Sequence, residues 1–143
     1  MLLKDKVVVV SGVGPGMGQS LARLAAKEGA KVVLAARNKE FLDQVAAEIV
    51  AEGGQAVAVA CDISDTEQCN ALAKAAADAY TGRIDGLVNS AFYHGDWSGV
   101  ENADEEDWKK IYDVNALGTL RVTKACVPYL KDGGAVVNVS TMA

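Results

Sequence analysis

The chain has 143 residues, of which 50% are hydrophobic, and a formal net charge of −5 at pH 7. The acidic balance and the lack of a Lys/Arg cluster argue against a nucleic-acid-binding surface. No apolar run approaches the roughly 20 residues of a membrane-spanning helix, and no secretory signal precedes the first strand-like run. We therefore expect one domain over residues 1–143, located in the cytoplasm, with neither a nucleic-acid nor a membrane partner.

Strand-like and helix-like patterns alternate along the whole chain. Short apolar runs predict five strands, at residues 6–11, 31–36, 55–60, 84–89 and 135–140. Apolar residues at helical spacing predict four helices, at residues 16–28, 38–53, 64–80 and 104–130. An irregular stretch follows the fourth strand and extends to about residue 103.

Several helix ends carry specific sequence signals. Asn38 is a predicted N-cap, and Ser64 with Glu67 forms a predicted capping box. The first helix is predicted to bury one face against the sheet, formed by Met17, Leu21, Leu24 and Ala25.

Strands that alternate with helices indicate right-handed crossovers and a parallel sheet with helices on both faces. The predicted fold is therefore α/β, a doubly wound Rossmann-type sheet with strand order 3-2-1-4-5. Ligands of such sheets bind at the carboxyl ends of the strands, where the strand order reverses. The ligand site is therefore predicted to lie among residues 11–18, 36–38, 61–63, 89–97 and the chain from residue 140 onward.

The three cysteines and the single histidine limit the possible chemistry. Cys61, Cys69 and Cys126 form no C-x-x-C pair, which favours buried, reduced thiols in a cytosolic protein. Because His94 is the only histidine, a multi-histidine metal site or a Ser-His-Asp hydrolase site is implausible. We expect no metal.

Residues 11–18 read SGVGPGMG and lie between the first strand and the first helix. Glycines allow a tight turn there, and the unpaired amides of a helix N-terminus bind phosphate. A strict G-x-G-x-x-G motif is not present, and the absence of G-K-[ST] excludes a Walker loop. The pattern that remains is S-G-x-x-x-G-x-G, with its glycines at Gly12, Gly16 and Gly18.

This pattern resembles the [T/S]-G-x-x-x-G-x-G turn of the short-chain dehydrogenase/reductase family, and the resemblance covers essentially all 143 residues. It implies an NAD(P)(H)-dependent oxidoreductase acting on a small-molecule alcohol or carbonyl substrate. The family commonly pairs through its long helices, so the resemblance also implies a homo-oligomer.

The end of the second strand bears on the choice of cofactor. An NAD site normally has Asp or Glu here, on the ribose 2′-hydroxyl, but this chain has Ala36 followed by Arg37 and Asn38. A guanidinium can pair with a 2′-phosphate, which favours NADP(H) over NAD(H), although NAD(H) stays possible. The alternative is that Arg37 is a solvated residue at a strand end. Pro15 stands where many NADP-dependent members carry a basic residue.

Two further segments match the family at the cofactor site. Asp62 resembles the residue that hydrogen-bonds the adenine amino group, and Ile63 the neighbour that packs on the ring; otherwise Asp62 starts a turn. Residues 89–92, NSAF, resemble the family's N-N-A-G segment with two departures. The candidate cofactor-binding residues are Ser11, Gly12, Gly14, Pro15, Gly16, Met17, Gly18, Arg37, Asn38, Asp62, Ile63, Asn89 and Ala91.

Asn115, Ser140 and Thr141 are the candidate catalytic residues. Asn115 lies four residues after Ile111 and seven before Val122, on the inward stripe of its predicted helix. It is either an isolated, satisfied core Asn or, by resemblance to the family's N-x-x-G, the Asn that holds a water for the catalytic lysine. Thr141 falls in the register of the family's catalytic serine, with Ser140 as the weaker alternative.

The aromatic residues after the fourth strand have two interpretations. Tyr93, His94 and Trp97 either line a pocket for an apolar substrate or belong to a surface loop that packs on the next helix.

The family's proton donor, a Tyr followed four residues later by Lys, is not found in these residues. The residues four positions after the four tyrosines are Ile84, Trp97, Ala116 and Gly133. The simplest hypothesis is that the 143 residues are the N-terminal part of a longer enzyme, inactive by themselves. The alternatives are a non-catalytic dinucleotide-binding module or sensor and a methyltransferase, which would have an acidic residue at Ser11.

Overall fold

The computed structural model describes residues 1–141, which form a five-stranded parallel sheet. The strands are β1 (Val7–Ser11), β2 (Lys31–Ala36), β3 (Gln55–Ala60), β4 (Ile84–Asn89) and β5 (Leu130–Asn138). Their order in the sheet is β3-β2-β1-β4-β5, and every neighbouring pair is parallel. The predicted Rossmann-type topology is confirmed.

Five α-helices connect the strands. They are α1 (Met17–Lys27), α2 (Lys39–Ala51), α3 (Thr66–Ala79), α4 (Glu105–Tyr112) and α5 (Thr119–Cys126). A short 3-10 turn, Val100–Asn102, lies in the irregular stretch between β4 and α4. Among the described residues, no helix is both long enough and apolar enough to span a bilayer.

The central strands β1 and β2 are buried on both faces, which explains why they are nearly continuous apolar runs, whereas β3 is half-buried and residues 132–138 of β5 are exposed. Alternate residues of β1 point to opposite faces, so Val8 and Val10 pack with α1 and α2, whereas Val9 packs with α3 and α5. The two resulting core clusters hold the central strands in place. The carboxyl ends of β1 and β4 are therefore supported by packed core on both faces.

The predicted inward face of α1 is confirmed at Ala25 and wrong at Met17 and Leu24. Met17 and Leu24 are each 58% exposed, and the buried residues are Gly18, Ala22 and Ala25. The reason is the close approach of α1 to the turn before it, since a Cβ on Gly18 would lie 2.1 Å from the Gly12 carbonyl oxygen. Small residues therefore face the sheet.

The single long helix predicted at residues 104–130 is interrupted. A π-helical segment, Asp113–Gly118, separates α4 from α5, and a 3-10 turn, Val127–Tyr129, follows α5. Pro128 lacks the amide that an α-helix needs, so the helix tightens there and β5 begins at Leu130, earlier than predicted.

One predicted cap is confirmed and the other is wrong. The Asn38 side chain accepts a hydrogen bond from the Phe41 amide at 3.1 Å, as expected of an N-cap. Helix α3 is capped by Asp65, not Ser64. The Ser64 amide and hydroxyl instead donate to Asp62, so Ser64 belongs to the preceding turn.

Candidate functional site

A cavity of about 550 Å³ lies at the carboxyl ends of the strands. All the predicted cofactor-binding residues except Asn89 line it: Ser11, Gly12, Gly14, Pro15, Gly16, Met17, Gly18, Arg37, Asn38, Asp62, Ile63 and Ala91. Four segments far apart in the sequence (residues 11–18, 37–38, 62–63 and residue 91) therefore meet at the predicted switch point of the sheet.

The glycine turn between β1 and α1 forms one wall of the cavity. Gly12 has φ +98°, and a Cβ there would lie 2.2 Å from the Ala91 amide nitrogen, so only glycine fits. The amides of Gly12 and Val13 both donate to the Ala35 carbonyl, at 2.8 and 3.0 Å. These bonds fix the turn against β2.

Gly14 and Gly16 have a different role from Gly12. A Cβ on either residue would meet nothing within 4 Å, so neither glycine is required by protein packing. Gly16 is also the N-cap of α1 and offers no side-chain cap to the first helical turn. Open space beside uncapped helical amides fits a phosphate group.

The end of β2 supplies the positive charge at the far side of this turn. Arg37 is exposed and, within residues 1–141, forms no ion pair with a carboxylate. The Asn38 side chain faces a competing demand, because its oxygen caps α2. Arg37 is thus the positively charged residue of this segment in the cavity lining, and the Asn38 Nδ2 is a second, neutral donor.

Asp62, the residue predicted to bind the adenine amino group, is stabilised in its charged form. Its Oδ1 accepts from the Ser64 hydroxyl at 2.7 Å and from the Ser64 amide at 2.9 Å. These bonds, aided by the positive charges of Arg37 and Lys110, lower the pKa of the Asp62 carboxyl. A charged carboxylate can accept from an exocyclic amino group.

Sequence analysis missed several residues of the cavity, including Phe41, Lys110 and Val114. Lys110 and Val114 lie four residues apart, a spacing that places them on the same face of a helix, and this was the only signal in the sequence that connects them. It could not show that this face lines the cavity.

Asn89 lies beneath the cavity and not in its wall. It is 6% exposed, and its Nδ2 donates to Asn138 Oδ1 at 2.9 Å and to Thr123 Oγ1 at 3.1 Å. The side chain thus joins β4 to β5 and to α5.

Asn115 makes a reciprocal pair of hydrogen bonds with the Tyr93 backbone. Its Oδ1 accepts from the Tyr93 amide at 2.8 Å, and its Nδ2 donates to the Tyr93 carbonyl at 2.9 Å. The Asn115 carbonyl accepts from the Thr119 hydroxyl at 2.9 Å. The side chain is therefore satisfied within the protein and anchors the loop after β4 to the π-helical segment.

Ser140 and Thr141 follow the end of β5, and both are exposed. Neither they nor Asn115 line the cavity, although Val139 does, and its amide donates to the Asn89 carbonyl at 3.0 Å. The three candidate catalytic residues are therefore outside the cavity lining formed by the described residues.

Tyr93 and Lys110 line the cavity, but their geometry differs from that of an acid–base pair. The Lys110 Nζ lies 4.3 Å from the centre of the Tyr93 ring, over its face. The Tyr93 hydroxyl donates to Asp107 Oδ1 at 2.7 Å, and this bond raises the pKa of Tyr93. A proton-donating tyrosine needs a lowered pKa, so Tyr93 is unsuited to that task.

The aromatic residues that follow β4 differ in which of the two predicted roles they have. Phe92 and Tyr93 line the cavity, and Tyr93 also packs on α4 through Asp107. Trp97 is 85% exposed and donates from Nε1 to His94 Nδ1 at 3.0 Å. His94 and Trp97 lie outside the cavity lining.

The cysteines are buried thiols. Hydrogen bonding to Cys69, together with burial, raises the pKa of Cys61, and burial raises the pKa of Cys126 to about 12. Within residues 1–141, no group of three or more His, Cys, Asp or Glu side chains could hold a metal ion.

The fold and the cavity define an α/β protein with a doubly wound parallel sheet and a cavity at the switch point of that sheet. The family model described as short chain dehydrogenase matches residues 6–143, and the chain belongs to this family.

Similar proteins agree with this assignment. An uncharacterized oxidoreductase of Methylorubrum extorquens is 39% identical over 98% of this chain and 56% of its own length. A hexahydroindene-carboxyl-CoA reductase of Mycobacterium tuberculosis is 39% identical over 96% of this chain and 53% of its own. The structure of an actinorhodin polyketide ketoreductase with NADPH has a TM-score of 0.86 and 30% identity, over 96% of this chain and 53% of that chain. The chain spans about half the length of these relatives.

Proposed function

We propose that this chain is the dinucleotide-binding part of an NAD(P)(H)-dependent oxidoreductase that acts on a small-molecule alcohol or carbonyl compound. The observation that carries the proposal is the single cavity into which the glycine turn, the end of β2 and the loop after β3 converge. Family membership and relatives named as oxidoreductases and a reductase support the same chemistry.

Each wall of the cavity has a role in this proposal. The glycine turn and the start of α1 hold the pyrophosphate, and the open space at Gly14 and Gly16 lets phosphate oxygens approach the backbone. Arg37 pairs with a 2′-phosphate, while Asp62 and Ile63 bind the adenine. When bound, the nicotinamide ring supplies or accepts the hydride.

The remaining chemistry belongs to the edge of the site formed by α4, β5 and the chain after it. Thr141 orients the substrate carbonyl through its hydroxyl, with Ser140 as the alternative, and Asn115 maintains the proton relay. Proton transfer needs a Tyr–Lys pair, which we place outside residues 1–143 because no Y-x-x-x-K occurs within them. We also propose a homo-oligomer in the cytoplasm.

The preferred cofactor is NADP(H). The Arg37 guanidinium, which forms no ion pair within residues 1–141, and the absence of an acidic residue at the end of β2 support this choice, and a ketoreductase of similar structure was solved with NADPH. NAD(H) would leave Arg37 without a 2′-phosphate to bind.

Calorimetric titration of NADPH and NADH into the protein and its Arg37→Ala variant tests this preference. We expect NADPH to bind more tightly than NADH, and Arg37→Ala to weaken NADPH binding by about tenfold or more while NADH binding is unchanged, because a charge-assisted pair is lost. Equal affinities in all four titrations would contradict the NADP(H) assignment.

A non-catalytic dinucleotide sensor is the second candidate. Only the missing Y-x-x-x-K motif and the Thr at position 141 favour it. Reading the gene downstream of codon 143 separates the two candidates: the enzyme requires a Y-x-x-x-K motif there, and the sensor does not.

A further inference from the structure

Arg121 on α5 makes a contact that the proposed roles above do not use. Its Nη1 donates to the Ile63 carbonyl at 3.2 Å and to the Asp113 carbonyl at 3.1 Å. Its Nη2 pairs with the Asp113 carboxylate. One guanidinium thus joins the loop after β3 to the first residue of the π-helical segment.

Gly118 brings the same two regions into direct contact. It is buried, and a Cβ there would lie 2.6 Å from Ile63 Cδ1 and 2.7 Å from Ile63 Cγ1. Its φ of −61° is ordinary helical geometry that any residue adopts. A larger residue here would have to displace the Ile63 side chain, although the backbone conformation itself would accept it.

Among the described residues, the other hydrogen bonds from the loop after β3 to neighbouring elements lead to β2 and α3, and not to α5. The Cys61 amide donates to the Ala36 carbonyl of β2, and the Asp62 amide donates to Gln68 of α3. Arg121 supplies the tie to the opposite side of the cavity. Without it, the hydrogen bonds from this loop to other elements would, within residues 1–141, lead only to β2 and α3, and the packing of Ile63 on Gly118 would be left as the contact with the α5 side.

We propose that Arg121, Asp113 and Gly118 form a clamp that positions Asp62 and Ile63 for the adenine half of the cofactor. Arg121 does not line the cavity, so it acts through Ile63 and is a positioning residue. The inference rests on the proposed dinucleotide site. It predicts that the clamp affects adenine binding and leaves nicotinamide binding alone.

The test compares three ligands by calorimetry: NADPH, 2′,5′-ADP as the adenine half, and reduced nicotinamide mononucleotide as the other half. We expect Arg121→Met to weaken NADPH and 2′,5′-ADP binding by about tenfold, because the hydrogen bonds that hold the adenine wall are lost. Affinity for the mononucleotide should stay within about twofold, within the usual error of additivity for distant sites. Arg121→Lys, which keeps the charge but not the fork, should give an intermediate loss.

The matched control is Arg23→Met. Arg23 pairs with Glu48, and the exposed fractions of the two side chains, 27% and 42%, are close to the 21% and 38% of Arg121 and Asp113. Arg23 does not line the cavity, so its variant should bind all three ligands as the parent protein does.

The possible failures are distinguishable. If the parent protein binds neither NADPH nor 2′,5′-ADP, the proposed function fails. If it binds them and Arg121→Met keeps the parent affinity for 2′,5′-ADP, or weakens both halves equally, the clamp is overturned. If Arg121→Met does not fold, Gly118→Ala decides: displacement of Ile63 should weaken 2′,5′-ADP binding selectively, and an unchanged affinity overturns the clamp.

Discussion

At the scale of single residues, charge and hydrogen bonding assign different tasks to similar side chains. Arg37 and Lys110 both line the cavity, and both favour the charged form of Asp62. Sequence reasoning identified Arg37 because it follows a strand end in a known register. It could not identify Lys110, since Lys109 and Lys110 are consecutive and only the packing of α4 decides which one faces the cavity.

The ionisation of Tyr93 provides a residue-scale prediction. Asp107 raises the pKa of Tyr93, because the neutral phenol donates to the carboxylate and a phenolate would be repelled by it. Replacing Asp107 with Asn should therefore lower the pKa of Tyr93 toward the ordinary value of about 10. Spectrophotometric titration of the phenol absorbance, compared between the parent and Asp107→Asn, measures the shift.

Tyr80 is the internal control for this titration. Its pKa is raised by burial, and its hydroxyl donates to the Val32 carbonyl, so it should not respond to Asp107→Asn. An unchanged titration curve in the variant would contradict the hydrogen bond that removes Tyr93 from acid–base chemistry.

At the scale of secondary-structure elements, close packing explains where sequence prediction failed. Periodicity placed Met17 and Leu24 inside, but the approach of α1 to the glycine turn admits only small residues. The π-helical segment was also unpredictable, because neither Gly nor Pro precedes it. Such segments often lie at functional sites. Its cause is tertiary: Asn115 bonds to the loop after β4, and Gly118 accommodates Ile63.

The two hydrogen bonds between the Asn115 side chain and the Tyr93 backbone lead to a prediction at this scale. Asn115→Ala should lower the free energy of unfolding by about 1–3 kcal/mol, because the amide and carbonyl of Tyr93 lose their partners. Urea unfolding followed by circular dichroism measures the loss. Asn70→Ala, at an exposed position of α3, is the control and should change stability by less than about 0.5 kcal/mol. Equal losses in the two variants would show that the anchor contributes nothing.

At the scale of the whole molecule, the alternation of elements was sufficient to predict the fold. Five apolar runs separated by helices leave few arrangements that obey the handedness of crossovers, and the observed order is the predicted one. The cavity followed from the same topology, since it lies where the strand order reverses. The three catalytic candidates could not be assembled in this way, because their relative positions depend on β5 and the chain beyond it.

The whole-molecule account depends on one claim, that the cavity at the switch point binds a dinucleotide across its glycine turn. Gly16 tests it directly, because a Cβ there touches no protein atom within 4 Å and would occupy only ligand space. Gly86→Ala is the matched control, with its Cβ in ordinary contact with Val8 and outside the cavity lining.

The decisive measurement is calorimetric titration of NADPH into the parent protein, Gly16→Ala and Gly86→Ala, with the thermal midpoint of each ligand-free protein recorded alongside. We predict that Gly16→Ala weakens NADPH binding by about tenfold or more, because the methyl group blocks the approach of the pyrophosphate to the backbone, while Gly86→Ala binds as the parent does. The thermal midpoint of Gly16→Ala should stay within about 4 °C of the parent value, a shift that corresponds to roughly 1 kcal/mol or less. Parent-like NADPH affinity in Gly16→Ala, or no binding of NADPH or NADH by the parent protein, would contradict the account.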